Sequence, residues 1–132
     1  MEKNKGRILC VDNDQDTCEM VTVLLGQAGY EVIMAMNIAD GLTLARREHF
    51  DLILLDWFFG DGTGLELCRM IRAFDSQTII LFYSGVVDKA EIKQAISAGA
   101  QGFLVKPIGI EDLVMTVSRF VDRGSGEDSH AN

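Results

Sequence analysis

Short, unbroken runs of apolar residues recur along the chain and alternate with segments in which apolar residues follow helical spacing. A run of four to six apolar residues is typical of a strand that is buried on both faces, as in a parallel sheet. The predicted strands are, in chain order, Ile8–Val11, Tyr30–Ala35, Leu52–Leu55, Ile79–Tyr83 and Gly102–Val105.

A helical segment follows each of these strands. The predicted helices are Thr17–Ala28, a helix capped by Asn37 and ending near Arg47, Leu65–Ala73, a helix opened by Asp88 and ending near Ala98, and Ile110–Val121. The glycine-rich stretch 60–64 is predicted to be a flexible loop. This alternation predicts an α/β fold with right-handed crossovers, a doubly wound five-stranded parallel sheet with helices on both faces.

The chain of 132 residues is long enough for one domain with its own core. That domain is predicted to span residues 6–122. The remaining residues, 123–132, are rich in glycine, serine and acids, and they are predicted to be a disordered tail or the start of a linker. The chain is therefore expected to be either a stand-alone protein or a piece of a longer one.

Charge and cysteine content narrow the classes of function. The net charge of −8 argues against direct binding to nucleic acid, which needs a basic surface. No apolar run approaches the length of a membrane span. The three cysteines are odd in number and form no Cys-x-x-Cys pair, so they are expected to be reduced thiols, consistent with the cytoplasm.

Four of the predicted strands are followed directly by a residue that can act on a phosphoryl group: Asp12, Asp56, Ser84 and Lys106. Ligands of open parallel sheets bind beyond the carboxyl ends of the strands, so these side chains are expected to converge. Two carboxylates that lie close together repel each other unless they share a cation or a proton, and Mg²⁺ prefers such oxygen ligands. An ammonium group and a hydroxyl at the same edge can contact phosphoryl oxygens. The pattern therefore predicts chemistry on phosphate that is assisted by a divalent cation.

The same stretches, taken in order, resemble the receiver domain of bacterial two-component response regulators over residues 6–122. The stretches that carry the resemblance are Ile8-Leu9-Cys10-Val11-Asp12, Asp51-Leu52-Ile53-Leu54-Leu55-Asp56, Ser84-Gly85 and Ala98-Gly99-Ala100-Gln101-Gly102-Phe103-Leu104-Val105-Lys106-Pro107. The resemblance implies a flavodoxin-like sheet with the strand order 2-1-3-4-5.

It also implies that Asp56 accepts a phosphoryl group in a reaction that depends on Mg²⁺. The implied donor is a histidine kinase or a phosphotransfer protein. Ser84 and Lys106 would contact the phosphoryl oxygens. The implied metal ligands are Asp12, its neighbour Asn13, Asp56 and the backbone carbonyl of Phe58.

In this family Ser84 and an aromatic residue, here Phe103, would act as a switch. The face made by the fourth helix, fifth strand and fifth helix would then change its affinity for a downstream protein target, for an output domain that this chain does not contain, or for a second copy in a homodimer. Apart from its own phosphorylation and dephosphorylation, such a domain would turn over no substrate.

The chain departs from the family pattern at three positions. Asn13 stands where a second acid is usual, which is expected to weaken Mg²⁺ binding by roughly 1–2 kcal/mol; Asp14 could compensate. Gly60 stands where a proline is usual, which should loosen that turn. Phe58 is bulky at a position beside the site, and it is hypothesised to shield the acyl phosphate from water; the alternative is that it only packs the loop.

Three other functions compete with this interpretation. Asn13 makes a receiver-like module that binds proteins without taking phosphate a credible alternative. Asp12-x-Asp14 with a strand ending in Ser84 resembles haloacid-dehalogenase-type phosphatases, although the later acidic pair is missing and Asp56 would have no role. Asp12-x-Asp14-x-Asp16 begins like a calcium-binding EF-hand loop but lacks that loop's glycine and its final glutamate, so we reject it.

Overall fold

The computed structural model describes residues 4–85 and 88–126, and a five-stranded parallel sheet lies at its centre. The strands are β1 (Gly6–Val11), β2 (Tyr30–Ala35), β3 (Leu52–Leu55), β4 (Phe58–Phe59), β5 (Gly62–Thr63), β6 (Ile79–Ser84) and β7 (Gly102–Val105). The central sheet has the order β2-β1-β3-β6-β7, which is 2-1-3-4-5 when only its own strands are counted. The predicted fold class and strand order are confirmed.

Five helices cover the two faces of this sheet. They are α1 (Gln15–Gln27), α2 (Ile38–Arg47), α3 (Gly64–Arg72), α4 (Lys89–Ser97) and α5 (Ile110–Gly126). Residues of α1 and α5 share one core cluster with alternate residues of the strands, and residues of α2, α3 and α4 share the other. Because β3 lies between these two clusters, all four of its residues are buried, which explains its unbroken apolar run.

Two helices extend beyond their predicted ends. Helix α1 begins at Gln15 rather than at Thr17, because Asp14 is its N-cap. Helix α5 continues to Gly126 rather than ending at Val121, since each further residue of a formed helix adds a backbone hydrogen bond. Residues 123–126, assigned to a disordered tail, are therefore helical. The rest of that predicted tail, 127–132, lies outside the described residues.

The stretch 60–64, predicted as a flexible loop, has regular structure. Strands β4 and β5 form an antiparallel hairpin in which Phe58 pairs with Thr63. Thr63 then caps α3 and forms a capping box with Glu66. The sequence pattern did not predict this hairpin, because each of its strands has only two residues and the stretch is rich in glycine.

Two expectations about composition can be compared with the structure. All three cysteines are buried and free of disulfides. Within the described ranges, no helix is both long enough and apolar enough to cross a bilayer.

Candidate functional site

The backbone fixes Asp12, Asp56 and Lys106 at the carboxyl edge of the sheet. The N–H group of each donates to the carbonyl of the last residue of the neighbouring strand, at 3.0 Å in all three cases. The parallel hydrogen-bond ladder therefore continues one residue past β1, β3 and β7, and each of these side chains starts from a defined place.

The ammonium group of Lys106 contacts both carboxylates. Its Nζ lies 2.7 Å from Asp12 Oδ2 and 3.4 Å from Asp56 Oδ2. The exposed fractions of the side chains are 21% for Lys106, 3% for Asp12 and 13% for Asp56, so water screens these charges weakly. The structure thus brings together three residues that are distant in the sequence. Asp56 lies 44 residues after Asp12, and Lys106 lies 50 residues after Asp56.

The second oxygen of each acid is held by a nearby backbone N–H group. Asp56 Oδ1 accepts from the N–H of Trp57 at 2.8 Å, and Asp12 Oδ1 accepts from the N–H of Asp14 at 2.9 Å. Both carboxylates are therefore fixed in rotation, with their Oδ2 atoms directed towards Lys106.

Burial and neighbouring charge shift the ionisation of this group. Burial raises the pKa of the Asp12 carboxyl above its usual value, and the charge of Asp56 adds to this, although the Lys106 hydrogen bond opposes it. Burial also opposes the charge on Lys106, but the hydrogen bond to Asp12 and the charges of both acids outweigh it and raise the pKa of Lys106. The lysine therefore stays charged, and a positive charge beside Asp12 favours the ionised form of its buried carboxyl.

Ser84 and Phe103 lie at the same side of the molecule. Ser84 is the last residue of β6, is buried, and accepts the Lys106 N–H bond through its carbonyl. Phe103 on β7 is half-buried and stacks on Phe82 at 5.8 Å between ring centroids. Trp57, the neighbour of Asp56, contacts both rings. Its ring centroid lies 5.2 Å from that of Phe82 and 6.1 Å from that of Phe103. We call Trp57, Phe82 and Phe103 the aromatic cluster.

The three positions that depart from the family pattern differ in environment. The side chain of Asn13 is exposed. The Asp14 carboxylate accepts from the N–H and hydroxyl of Thr17, at 3.3 and 2.6 Å, so it serves as the cap of α1. The side chain of Phe58 is 51% exposed, whereas its neighbour Trp57 is buried.

Sequence analysis missed two residues that shape this site, and Gly64 is the first. A Cβ atom at this position would lie 2.0 Å from the backbone oxygen of Asp56 and 3.0 Å from the ring of Phe82. Its N–H group donates to the carbonyl of Trp57 at 2.6 Å. The capping-box pattern of Thr63 and Glu66 marks this helix start in the sequence, but it does not reveal the close approach.

The second residue is Asp61, at the tip of the β4–β5 hairpin. Its carboxylate accepts from the N–H groups of Ile38 and Ala39 at 3.1 and 3.2 Å. These backbone donors lower the pKa of the Asp61 carboxyl, with the Ile38 hydrogen bond as the main cause. No local pattern signals this contact, because its partners lie more than 20 residues away.

The donor atoms at this edge suit Mg²⁺. Asp12 and Asp56 present two carboxylates that are held by the protein and that both contact the ammonium group of Lys106. Mg²⁺ is commonly held by one or two carboxylates, with waters and other oxygens completing its octahedron. A group of three or more acidic, histidine or cysteine side chains suited to a metal does not occur in 4–85 or 88–126. The site therefore suits a cation such as Mg²⁺, which takes several of its ligands from water or phosphate. It is less suited to a cation whose ligands all come from the protein.

Comparison with known proteins gives the family. The model described as the response regulator receiver domain matches residues 8–118. The chain is 30% identical over 127 residues to the DNA-binding response regulator MtrA of Mycobacterium tuberculosis, covering 96% of this chain and 55% of that protein. It is 32% identical over 117 residues to the nisin biosynthesis regulatory protein NisR of Lactococcus lactis, covering 89% of this chain and 51% of NisR. The chain thus spans about half the length of these relatives.

A solved structure agrees with this result. The response regulator receiver domain protein of Methanospirillum hungatei, described as CheY-like, superposes with a TM-score of 0.88 at 27% identity. The superposition covers 92% of this chain and 97% of that structure.

Replacing Gly64 with alanine should destabilise the protein, because the new methyl group would overlap the backbone at Asp56. We expect a loss of at least about 2 kcal/mol in the free energy of unfolding, measured with urea. The matched control is Gly60→Ala in the adjacent hairpin, where a Cβ would meet nothing within 4 Å. This variant should change stability by less than about 0.5 kcal/mol. Equal stability of the two variants would contradict this account of Gly64.

Proposed function

The chain belongs to the response regulator receiver domain family of two-component signalling, and we propose that Asp56 is the residue that accepts its phosphoryl group. The observation that carries this proposal is the contact of one Lys106 ammonium with the carboxylates of Asp12 and Asp56 at the carboxyl edge of the sheet. Asp56 suits the acceptor role because it is the less buried of the two acids.

In the proposed reaction, an oxygen of Asp56 attacks the phosphorus of the donor. A new O–P bond forms as the bond from phosphorus to the donor breaks, and the donor leaves with that electron pair. The product is an acyl phosphate on Asp56. We propose that Lys106 neutralises a phosphoryl oxygen and that the hydroxyl of Ser84, at the end of the neighbouring strand β6, donates to another.

Receiver domains generally bind Mg²⁺, and we propose that Asp12 and Asp56 hold it here through their carboxylates. Asn13 and the backbone carbonyl of Phe58 would complete the protein's share of the ligands. When bound, Mg²⁺ supplies positive charge that offsets the repulsion between the acids and an incoming phosphate.

The aromatic cluster supports a switch at Phe103. A phosphoryl group on Asp56 adds a dianion beside Trp57, whose ring contacts both other members of the cluster. Large apolar side chains are exposed on α4, β7 and α5, namely Ile96, Val105, Ile110 and Met115. We propose this face as the surface for a downstream protein target, an attached output domain or a second copy of the chain.

Receiver domains generally act as switches rather than as enzymes, and we propose that this one acts only on itself, by phosphotransfer and autodephosphorylation. Its donor would be a histidine kinase or phosphotransfer protein in the cytoplasm, and the net charge of −8 disfavours direct contact with nucleic acid. Family membership does not favour the phosphatase or the module that takes no phosphate.

The proposal predicts a covalent adduct. Incubation with a small phosphodonor and Mg²⁺ should increase the mass of the chain by one phosphoryl group, and Asp56→Asn should abolish this increase because an amide is a poor nucleophile. Intact-mass spectrometry measures both. No adduct over a wide range of Mg²⁺ concentrations, or an adduct that survives in Asp56→Asn, would overturn the assignment.

Restoring an acid at position 13 should strengthen Mg²⁺ binding. The Asp14 carboxylate caps α1, so it could bind a metal in place of an acid at position 13 only by giving up its hydrogen bonds to that helix. Asn13→Asp should therefore lower the Kd for Mg²⁺ about tenfold, measured by calorimetric titration. The matched control is Gln15→Glu, which adds the same charge two residues further along the chain and should change the Kd by less than about twofold. Equal effects of the two added acids would contradict a direct role for position 13.

Phe58 provides a test of shielding. Phe58→Asn should speed loss of the phosphoryl group several-fold, because a smaller, polar side chain admits water to Asp56. The matched control is Phe74→Asn, which replaces another exposed phenylalanine, two residues beyond the C-terminal end of α3. The fraction of phosphorylated chain is followed over time by mass spectrometry. An unchanged or slower rate in Phe58→Asn would show that Phe58 only packs the hairpin.

A further inference from the structure

The N-terminus of α2 depends on a residue from another part of the chain. The first four N–H groups of a helix have no partner within the helix. In α2, the N–H group of Asp40 bonds to the side chain of the N-cap Asn37, and the first i→i−4 bond of the helix runs from Gly41 to the Asn37 carbonyl. The N–H groups of Ile38 and Ala39, which lie between Asn37 and Asp40, bond to the two carboxylate oxygens of Asp61. Asp61 thus supplies acceptors for two N–H groups of the first turn that do not bond to Asn37.

The same contact fixes the tip of the β4–β5 hairpin. At its base, the hairpin is closed by the bond from the Gly64 N–H to the Trp57 carbonyl. At its tip, the turn residue Gly60 is unpacked, because a side chain there would meet nothing within 4 Å, while Phe59 beside it packs against the core. The two bonds of Asp61 therefore tie this tip to the body of the protein.

This tie joins the segments that carry the two acids of the site. The hairpin begins two residues after Asp56 and includes Phe58. Helix α2 begins three residues after Ala35, whose carbonyl holds the N–H group of Asp12. Through Asp61, the segment that follows one acid is bonded to the segment that supports the other.

We propose that Asp61 is a positioning residue that holds the β4–β5 hairpin in place for Mg²⁺ binding. This inference rests on the proposed function, since it concerns the backbone carbonyl of Phe58 as a metal ligand. It assigns to Asp61 no contact with the metal. Loss of the tie would release the turn between β4 and β5, so the Phe58 carbonyl would be held less firmly at one distance from Asp12 and Asp56.

The test compares Mg²⁺ affinity among three variants of the full chain, by calorimetric titration. Asp61→Ala removes both bonds and should raise the Kd about tenfold, the usual effect of losing a residue that supports a metal ligand. Asp61→Asn keeps one accepting oxygen and should lie between Asp61→Ala and the wild type. The matched control is Asp40→Asn, which removes the same charge from the same helix end while its side chain is bonded to Asn37 rather than to the hairpin; its Kd should stay within about twofold of the wild type.

A second measurement does not require metal. Hydrogen exchange in the metal-free protein should quicken at the amides of Ile38 and Ala39 in Asp61→Ala, whereas both amides should exchange as in the wild type in Asp40→Asn, because Asp61 still accepts from them. This readout separates loss of the tie from a general loss of charge.

The outcomes distinguish this inference from the proposed function. Wild-type affinity in Asp61→Ala, or equal weakening in Asp61→Ala and Asp40→Asn, overturns the positioning role while Asp56 phosphorylation stands. A wild-type chain that neither binds Mg²⁺ nor takes a phosphoryl group overturns the proposed function itself.

Discussion

The arrangement of this site depends on one ammonium group shared by two carboxylates. Asp12 is almost wholly buried and Asp56 is largely so, and two carboxylates this close repel each other unless a cation lies between them. Lys106 provides this cation from a distant part of the chain, and it reaches both acids because β1 and β3 are adjacent and β7 lies two positions from β3, with β6 between them. The strand order is therefore a condition for the charge balance of the site.

The sequence predicted the parts of the structure that follow from local pattern. Buried strands such as Leu52–Leu55 are read directly from their apolar runs, and the residues after them must lie at the carboxyl edge of a parallel sheet. Asp12, Asp56, Ser84 and Lys106 could be identified in this way, because the rule needs only the end of each strand.

The parts that the sequence did not predict depend on distant contacts. Gly64 looks like one more loop glycine until the backbone oxygen of Asp56 is found where its side chain would be. Asp61 looks like an ordinary turn residue until α2 is placed beside the hairpin. Both require knowledge of how segments pack, which spacing along the chain does not supply.

Asp14 shows why the local charge count is a poor guide to metal affinity. Counting acids in the loop between β1 and α1 gives two, Asp12 and Asp14, the same number as an adjacent pair would give. The second of these accepts two hydrogen bonds from Thr17 and lies at the start of α1. Its carboxylate stabilises the helix through the unpaired N–H groups of the first turn, so turning it towards a metal would cost that stabilisation. In the proposed set of metal ligands, position 13 carries an exposed amide, and an acid there would add a charge without uncapping a helix.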